Sequence, residues 1–275
     1  MGRLDGKVAF VTGAARGQGR SHAVRLAAEG ADIIALDVCR PVDGAFPTAT
    51  AADLEETVRL IEDADRRVVA TQADVRDYDA VEGALAAGLA ELGRLDVVVA
   101  NAGIADWFEL KPAEQLSSEA WQTMLDINLT GVWHTCKAAI PHLQRGSSLV
   151  LTSSATGLKG VANIAHYVAA KHGVVGLMRA LAQELGPRMI RVNCVCPGQV
   201  GTDMILNQPT FDLFCPDIEA PTKEDFAAFS EATFLMPVPW LEPVDVSNAV
   251  VFLASEEARF ITGVALPVDA GFVAR

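Results

Sequence analysis

The fold is decided by a glycine-rich stretch near the start of the chain, which reads Thr12-Gly13-Ala14-Ala15-Arg16-Gly17-Gln18-Gly19. An apolar, β-prone run at 8–12 precedes it, and a segment with helical spacing at 19–29 follows it. Its first glycine permits a tight turn, and the other two let backbone approach a pyrophosphate and let the helix pack on the strand. The helix N-terminus adds N–H donors. The stretch alone is compatible with an ordinary turn, but its strand–loop–helix context favours phosphate binding.

Outward from this loop, apolar β-prone runs alternate with segments of helical spacing. Strands are predicted at 8–12, 32–36, 68–70, 95–100, 148–152, 190–195 and 265–268. Helices are predicted at 19–29, 53–65, 78–92, 121–143, 166–185 and 244–254. This order predicts an α/β fold in a single domain over 1–275, with one doubly wound parallel sheet and helices on both faces. Ligands then bind beyond the carboxyl ends of the strands.

Two segments interrupt the alternation. An insertion near 39–50 contains Pro and Gly, and a long stretch near 198–239 is rich in Pro, Phe and Met. Long irregular loops in compact domains are often lids or binding loops. We therefore expect the second segment to be a substrate loop.

Composition excludes several classes of function. The 275 residues carry 22 Lys and Arg against 35 Asp and Glu, a net charge of −13. An acidic chain repels polyphosphate, so we expect no nucleic-acid partner. The longest apolar stretches are strand-sized and the N-terminus is polar, so we expect a cytoplasmic protein without membrane association.

The cysteines indicate neither a disulfide framework nor a metal site. There are five of them, an odd number with scattered spacing, which suits a reducing compartment. Cys194 and Cys196 lie two apart in an apolar run, so they point to opposite faces of a strand. We expect no bound metal.

A carboxylate at the end of the second strand predicts the cofactor. Asp37 can accept both ribose hydroxyls of an adenosine, and it repels a 2′-phosphate, which favours NAD. A solvated loop acid is the alternative. Arg16 and Arg40 lie where a 2′-phosphate could be met, so the signals conflict, and we give Asp37 the greater weight because it would contact the hydroxyls directly.

The ends of the next strands are expected to complete this site. Asp74 and Val75 follow the third strand and could border the adenine, as could Val38 beside Asp37. The small residues at the end of the fourth strand leave room for a cofactor, and they are Asn101, Ala102 and Gly103.

Tyr167 is the candidate acid/base. It lies four residues before Lys171 on a predicted helix, so both side chains share one face. A nearby ammonium stabilises the phenolate and is expected to lower the phenol pKa from its usual value of about 10. The phenol can then take a proton from an alcohol and return it in the reverse reaction. A surface pair is the alternative.

Two more polar residues are candidates for the same site. Ser154 ends the fifth strand and could hydrogen-bond a substrate oxygen, with Ser153 as the alternative because strand alternation points only one of them inward. Asn128 lies inside a predicted helix, where Asn is unfavourable. It could mark a local distortion or a water-linked proton path, or be a plain polar helix residue.

Together these residues resemble the short-chain dehydrogenase/reductase family, in family order and over nearly the whole chain. The resemblance implies a Rossmann-like sheet of about seven strands and a catalytic tetrad of Asn128, Ser154, Tyr167 and Lys171. It also implies cofactor contacts from the last two of these and from a later segment, namely Pro197, Gly198, Val200 and Thr202, the last two at the nicotinamide carboxamide. Family members are usually dimers or tetramers, and we expect a homotetramer.

A narrower resemblance is to the carveol-dehydrogenase-type subgroup associated with mycofactocin. It rests on Gly17-Gln18-Gly19-Arg20-Ser21-His22 and on Val38-Cys39-Arg40-Pro41, which opens the insertion. The subgroup implies NAD that is held tightly and re-oxidised in place by an external redox carrier. An insertion beside the adenosine could fold over the cofactor and slow its release; a surface loop without this role is the alternative. Ala100 departs from the family's usual Asn.

The substrate is expected to be hydrophobic. Residues 104–108, 155–157 and 204–234 should border it, and an apolar pocket is suggested by Met204, Phe211, Phe214, Phe234 and Met236. These residues could equally build core or oligomer contacts. The leading hypothesis is an oxidoreductase that transfers a hydride between NAD(H) and a terpenoid-like secondary alcohol or ketone. The alternatives are an NADPH-dependent carbonyl reductase and a non-catalytic dinucleotide-binding scaffold.

Overall fold

The inner strands of the sheet are buried along their whole length, as strands covered on both faces must be. The computed structural model describes residues 2–42, 48–105 and 111–275. Within these ranges one parallel sheet has the order β3-β2-β1-β4-β5-β6-β7. The strands are β1 (Val8–Thr12), β2 (Asp32–Asp37), β3 (Val68–Gln72), β4 (Val97–Ala100), β5 (Ser148–Thr152), β6 (Arg191–Pro197) and β7 (Ala265–Val268).

Helices cover both faces of this sheet. They are α1 (Gly17–Ala28), α2 (Ala51–Glu62), α3 (Tyr78–Leu92), α4 (Ser118–Leu125), α5 (Gly131–Ala139), α6 (Ala165–Leu185), α7 (Gln208–Phe214), α8 (Lys223–Glu231) and α9 (Pro243–Ala254). One core packs α1, α2 and α9 against the sheet, and the other packs α3 to α6. The doubly wound, Rossmann-like prediction is confirmed. The strand order reverses between β1 and β4, which opens a crevice at their carboxyl ends.

Polar side chains join α1 to α9 inside the first core. His22 is fully buried, with Nδ1 2.8 Å from the hydroxyl of Ser247 on α9. The Ser21 hydroxyl lies 2.7 Å from the same oxygen. Burial lowers the pKa of His22 to about 3, so the ring stays neutral. The Ser-His part of the narrower motif therefore fixes α1 against α9 on this face of the sheet.

The long helix predicted at 121–143 is interrupted. Between α4 and α5 the backbone makes a π-helical turn at Asp126–Thr130, and a 3₁₀ turn follows at Ile140–His142. Asn128 lies inside the π turn, so the local distortion expected there is confirmed. Its side chain forms two hydrogen bonds with the backbone of Ile104, which gives the turn a structural reason.

The segment near 198–239 is more ordered than predicted. It contains α7 and α8, because each has a side-chain cap that its sequence supplies: Asn207 accepts from Thr210 N–H, and Thr222 forms a capping box with Asp225. These helices enclose a third apolar cluster of Ile205, Phe211, Cys215 and Phe226, separate from the two sheet cores. These two helices were not predicted, whereas the role of the segment as a substrate loop stays a prediction. Of the insertion near 39–50, residues 43–47 lie outside the described residues.

Helix α3 approaches β2 closely at one glycine. A Cβ built on Gly88 would lie 2.6 Å from side-chain atoms of Ile34, which is fully buried on β2. On the same helix, a Cβ on Gly83 would have nothing within 4 Å. Alanine at Gly83 therefore changes only helix propensity, whereas alanine at Gly88 also changes the packing of α3 against β2.

We predict opposite effects of alanine at these two glycines. Gly83→Ala should raise the free energy of unfolding by about 0.5–1 kcal/mol, because alanine favours a helix over glycine. Gly88→Ala should lower it by about 1–2 kcal/mol, because overpacking against Ile34 outweighs that gain. Urea unfolding of both variants measures this, and equal stability of the two would contradict the packing described for α3.

Candidate active site

One cleft of about 410 Å³ lies at the carboxyl ends of the strands and continues beneath α7 and α8. Every residue predicted to bind the cofactor lines it: Gly13, Arg16, Gly17, Gln18, Gly19, Asp37, Val38, Asp74, Val75, Asn101, Ala102, Gly103, Tyr167, Lys171, Pro197, Gly198, Val200 and Thr202. Ser154 lines it too. The structure thus brings together residues from the ends of β1 to β6.

The glycine loop forms one end of the cleft. Gly13 and Gly17 have φ of +68° and +54°, a left-handed conformation that favours glycine. A Cβ on Gly19 would lie 1.8 Å from the carbonyl oxygen of Gly13. Because α1 begins at Gly17, its first N–H groups face the cleft end where an anion can bind.

Asp37 is held beside this loop. Its side chain is buried, and its two oxygens accept hydrogen bonds from the backbone N–H groups of Ala15 at 2.9 Å and Cys39 at 3.3 Å. Each carboxylate oxygen has a further lone pair. The carboxylate can therefore still accept hydroxyl donors from a ligand in the cleft.

The two arginines near Asp37 have acidic partners. Arg16 lies 3.3 Å from Asp203, and Arg40 lies 2.9 Å from Asp74. Burial acts to raise the pKa of Asp74, but hydrogen bonds from Arg76 and Arg40 outweigh it and hold that pKa at about 2. Carboxylates thus partly neutralise the positive charges of Arg16 and Arg40, which a 2′-phosphate would need.

These residues fit a dinucleotide. The Oε1 atom of Gln18 is buried in the cleft lining and has no hydrogen-bond partner within the described protein. A buried acceptor left unsatisfied is costly, and a ligand donor would satisfy it. Together with the glycine loop and Asp37, Gln18 gives the cleft acceptors and donors suited to a pyrophosphate, ribose and amide.

Three polar side chains meet further along the cleft. The Lys171 ammonium is buried and donates to the carbonyl of Thr152 at 3.1 Å, while it lies 5.7 Å from the centre of the Tyr167 ring. The Ser154 hydroxyl lies within hydrogen-bonding reach of the Tyr167 phenol. A phenol, a hydroxyl and an ammonium group therefore lie close together in the cleft.

The expected lowering of the phenol pKa is not found in the protein alone. Burial raises the pKa of Tyr167 to about 12, against the smaller opposing effect of the hydrogen bond from Ser154. Burial also lowers the pKa of Lys171 to about 8. The predicted lowering of the Tyr167 pKa was wrong, because burial of the phenol dominates and the Lys171 ammonium is directed at a backbone carbonyl.

The structure distinguishes Ser154 from Ser153. The Ser153 hydroxyl donates to the carbonyl of Lys171 at 2.8 Å, so its hydrogen is used within the fold. Ser154 instead faces Tyr167. Both serines line the cleft, so the hydrogen bonds, and not strand alternation, favour Ser154 over Ser153.

Asn128 lies behind the cleft wall. It is fully buried, and its amide accepts from Ile104 N–H and donates to Ile104 C=O, both at 2.8 Å. A Cβ on Gly103 would lie 3.0 Å from Asn128 Oδ1 and 3.5 Å from Lys171 Nζ. Asn128 thus supports the backbone that borders Lys171.

The other end of the cleft is apolar. The residues of the predicted ranges that line the cleft are Ile104, Ala155, Thr156, Met204, Ile205, Phe214, Phe226, Phe229 and Thr233. Three further apolar residues of the lining lie outside those ranges, namely Val161, Ile164 and Phe272. Residues 106–108 lie outside the described residues.

Three residues predicted for this pocket do not line it. Phe211 packs behind it against Phe226, with ring centres 5.3 Å apart, and Phe234 packs against Phe272. Met236 is 59% exposed. Phe226 and Phe229 lie in the predicted range 204–234 without being named there, and the capping signal of α8 with its helical spacing could have identified them. Phe272 carries no local signal.

The described residues contain neither a metal site nor a membrane span. Across residues 2–42, 48–105 and 111–275, no group of three or more His, Cys, Asp or Glu side chains is placed to hold a metal. In the same ranges, no helix has both the length and the apolar character needed to cross a bilayer.

Comparison with known proteins agrees with this geometry. A family model described as Enoyl-(Acyl carrier protein) reductase matches residues 13–273. A (−)-trans-carveol dehydrogenase from Rhodococcus erythropolis is 54% identical over 98% of this chain and 99% of its own length.

Solved structures are also similar over their full length. The carveol dehydrogenase from Mycobacterium avium, in complex with NAD, has a TM-score of 0.98 and 56% identity, with 100% of both chains covered. A short chain dehydrogenase from Mycobacterium paratuberculosis bound to NAD has a TM-score of 0.88 and 44% identity, again with 100% of both chains covered. The chain belongs to the short-chain dehydrogenase/reductase family.

Proposed function

We propose that this protein is an oxidoreductase that transfers a hydride between NAD(H) and a secondary alcohol or ketone with an apolar, terpenoid-like skeleton. The observation that carries the proposal is the position of Ser154, Tyr167 and Lys171, where the glycine-loop end and the apolar end of one cleft join. Two similar proteins are carveol dehydrogenases, and one of them is in complex with NAD.

When bound, NAD supplies the acceptor or donor of the hydride. Tyr167 holds its proton at neutral pH because burial raises its pKa, so it is ready to give that proton to a carbonyl oxygen in reduction. Ser154 donates a hydrogen bond toward the same oxygen and stabilises its developing charge. Oxidation needs the phenolate, so its rate should rise with pH. Lys171 donates to the backbone carbonyl of Thr152 beside the phenol, and Asn128 supports the wall next to Lys171.

Preference for NAD is supported at the adenosine end. Asp37 is fixed where it can accept ribose hydroxyls, and its charge opposes a 2′-phosphate. Arg16 and Arg40, which could favour NADP, are paired with Asp203 and Asp74. An NADPH-dependent reductase is therefore disfavoured.

We further propose that NAD is retained tightly and re-oxidised in place by an external redox carrier, as the subgroup resemblance implies. The start of the insertion is tied to the third strand region by Arg40–Asp74 and by Gln72, whose amide donates to Val38 C=O at 3.0 Å. Val42, Thr48 and Ala49, which are described residues of the insertion, line the cleft and support this proposal.

We also propose that the protein is a homotetramer and that it is cytoplasmic. Large apolar side chains are exposed on α4 and α5 at Trp121 and Trp133 and near β7 at Phe260, and a homotetramer would cover them. All five cysteines are free thiols, which supports a cytoplasmic location.

Loss of the Tyr167 hydroxyl tests the chemistry. Tyr167→Phe should lower kcat for oxidation of (−)-trans-carveol with NAD by about 10²- to 10⁴-fold, because the general acid/base is removed. In the unmodified protein, the oxidation rate should rise with pH as the phenol ionises, and the reduction rate should fall. Steady-state assays across pH 6–10 measure both.

The chain offers a matched control in Tyr78, its other tyrosine, which hydrogen-bonds Glu82 on the surface. Tyr78→Phe should keep full activity. Turnover that survives Tyr167→Phe would remove this residue from the mechanism, and absence of turnover with any alcohol or ketone would favour the scaffold alternative.

Removal of the Asp37 carboxylate tests cofactor choice. Asp37→Ala should weaken NAD binding and reduce the preference for NAD over NADP by about tenfold or more, since one charged acceptor is lost and one repulsion disappears. Calorimetric titration with each dinucleotide measures this. An unchanged ratio would contradict the assignment.

Tight retention of NAD can be measured directly. Protein purified and desalted without added cofactor should release close to one equivalent of NAD on denaturation, whereas Arg40→Gln should release less, because the insertion loses its contact with Asp74. Enzymatic assay of the supernatant for nicotinamide dinucleotide gives both values, and an empty supernatant from the unmodified protein argues against retention.

A further inference from the structure

The hydroxyl of Ser154 has a second hydroxyl behind it. Thr156 lies two residues later in the 3₁₀ turn Ala155–Gly157 and also lines the cleft. Its backbone N–H donates to Ser154 Oγ at 3.1 Å, and its Oγ1 donates to the same oxygen at 3.0 Å. Both contacts come from one residue, and both end on the oxygen that faces Tyr167.

A count of donors and acceptors then fixes the direction of the Ser154 hydrogen. A serine hydroxyl has two acceptor lone pairs and one donor hydrogen. The two donors of Thr156 fill both lone pairs. Ser154 must therefore give its own hydrogen outward, to the Tyr167 phenol or to a substrate oxygen beside it.

We infer that Thr156 is a positioning residue for this reaction, because its hydroxyl holds Ser154 as an obligatory hydrogen-bond donor toward the phenol oxygen of Tyr167. The inference rests on the proposed function. The chain of donors runs from Thr156 through Ser154 to Tyr167, and successive hydrogen bonds in one direction polarise each other. Such a chain stabilises a negative oxygen at its end more than Ser154 alone would.

Thr156 acts on the state of the phenol rather than on substrate affinity. The hydrogen bond of Ser154 acts to lower the pKa of Tyr167, against the larger opposite effect of burial. If the Thr156 hydroxyl is removed, one lone pair of Ser154 becomes vacant, and the serine can turn its hydrogen elsewhere. The phenolate then loses part of its stabilisation, while the apolar pocket keeps its walls.

The spectroscopic test uses the small number of tyrosines. In a Tyr78→Phe background Tyr167 is the sole tyrosine, so one ¹³Cζ tyrosine NMR signal reports its ionisation. With NAD bound and without it, Thr156→Val should shift the titration upward by about half to one pH unit, which corresponds to roughly a three- to tenfold smaller phenolate fraction. Thr156→Ser keeps the hydroxyl and should titrate like the background protein.

The kinetic test uses (−)-trans-carveol and NAD. Below the phenol pKa, Thr156→Val should lower kcat for oxidation roughly three- to tenfold with KM changed less than about twofold, and Thr156→Ser should restore kcat. If the alcohol is not turned over, the proposed substrate class fails, and the NMR titration still decides the role of Thr156.

Two results would overturn the inference. One is a titration of Tyr167 that is the same in the valine and serine variants. The other is a loss in Thr156→Ser equal to that in Thr156→Val, which would indicate a structural role of the side chain. Thermal melting shows whether each variant is folded, and Thr156→Ala replaces the valine variant if that one does not fold.

Discussion

The close contact between the first turn of α1 and the end of β1 is the constraint on which the site depends. The carbonyl oxygen of Gly13 occupies the space that any side chain at position 19 would need. Because the helix can approach the strand this closely, its N-terminus opens directly onto the ends of β1 and β4. Asp37 and Tyr167 then line one continuous cleft.

Most of the sheet and of the cofactor end could be predicted from the sequence. The strands are short apolar runs, and each is followed at its carboxyl end by residues with a distinct chemistry, such as Asp37 and Asn101. In a parallel sheet all such ends lie at one edge, so position along the chain translates into position in the site. This is why every residue predicted for the cofactor is found in one cleft.

The apolar end could be predicted only in part, because tertiary packing decides it. On α7, Phe214 faces the cleft while Phe211 packs behind it, and composition alone does not separate the two. The ionisation of Tyr167 is a further example. Spacing shows that Lys171 shares its helix face, but the extent of burial, which dominates its pKa, follows only from the assembled fold.

The third apolar cluster affects how the sequences of related proteins can differ. Its four buried members, Ile205, Phe211, Cys215 and Phe226, belong to neither core of the sheet, yet Ile205 and Phe226 also line the substrate end of the cleft. Replacement of these side chains reshapes the recognition surface while the dinucleotide end keeps its own packing. Related proteins can therefore vary the apolar end of the cleft by local repacking of this small helical part of the fold, while the rest of the cleft stays unchanged.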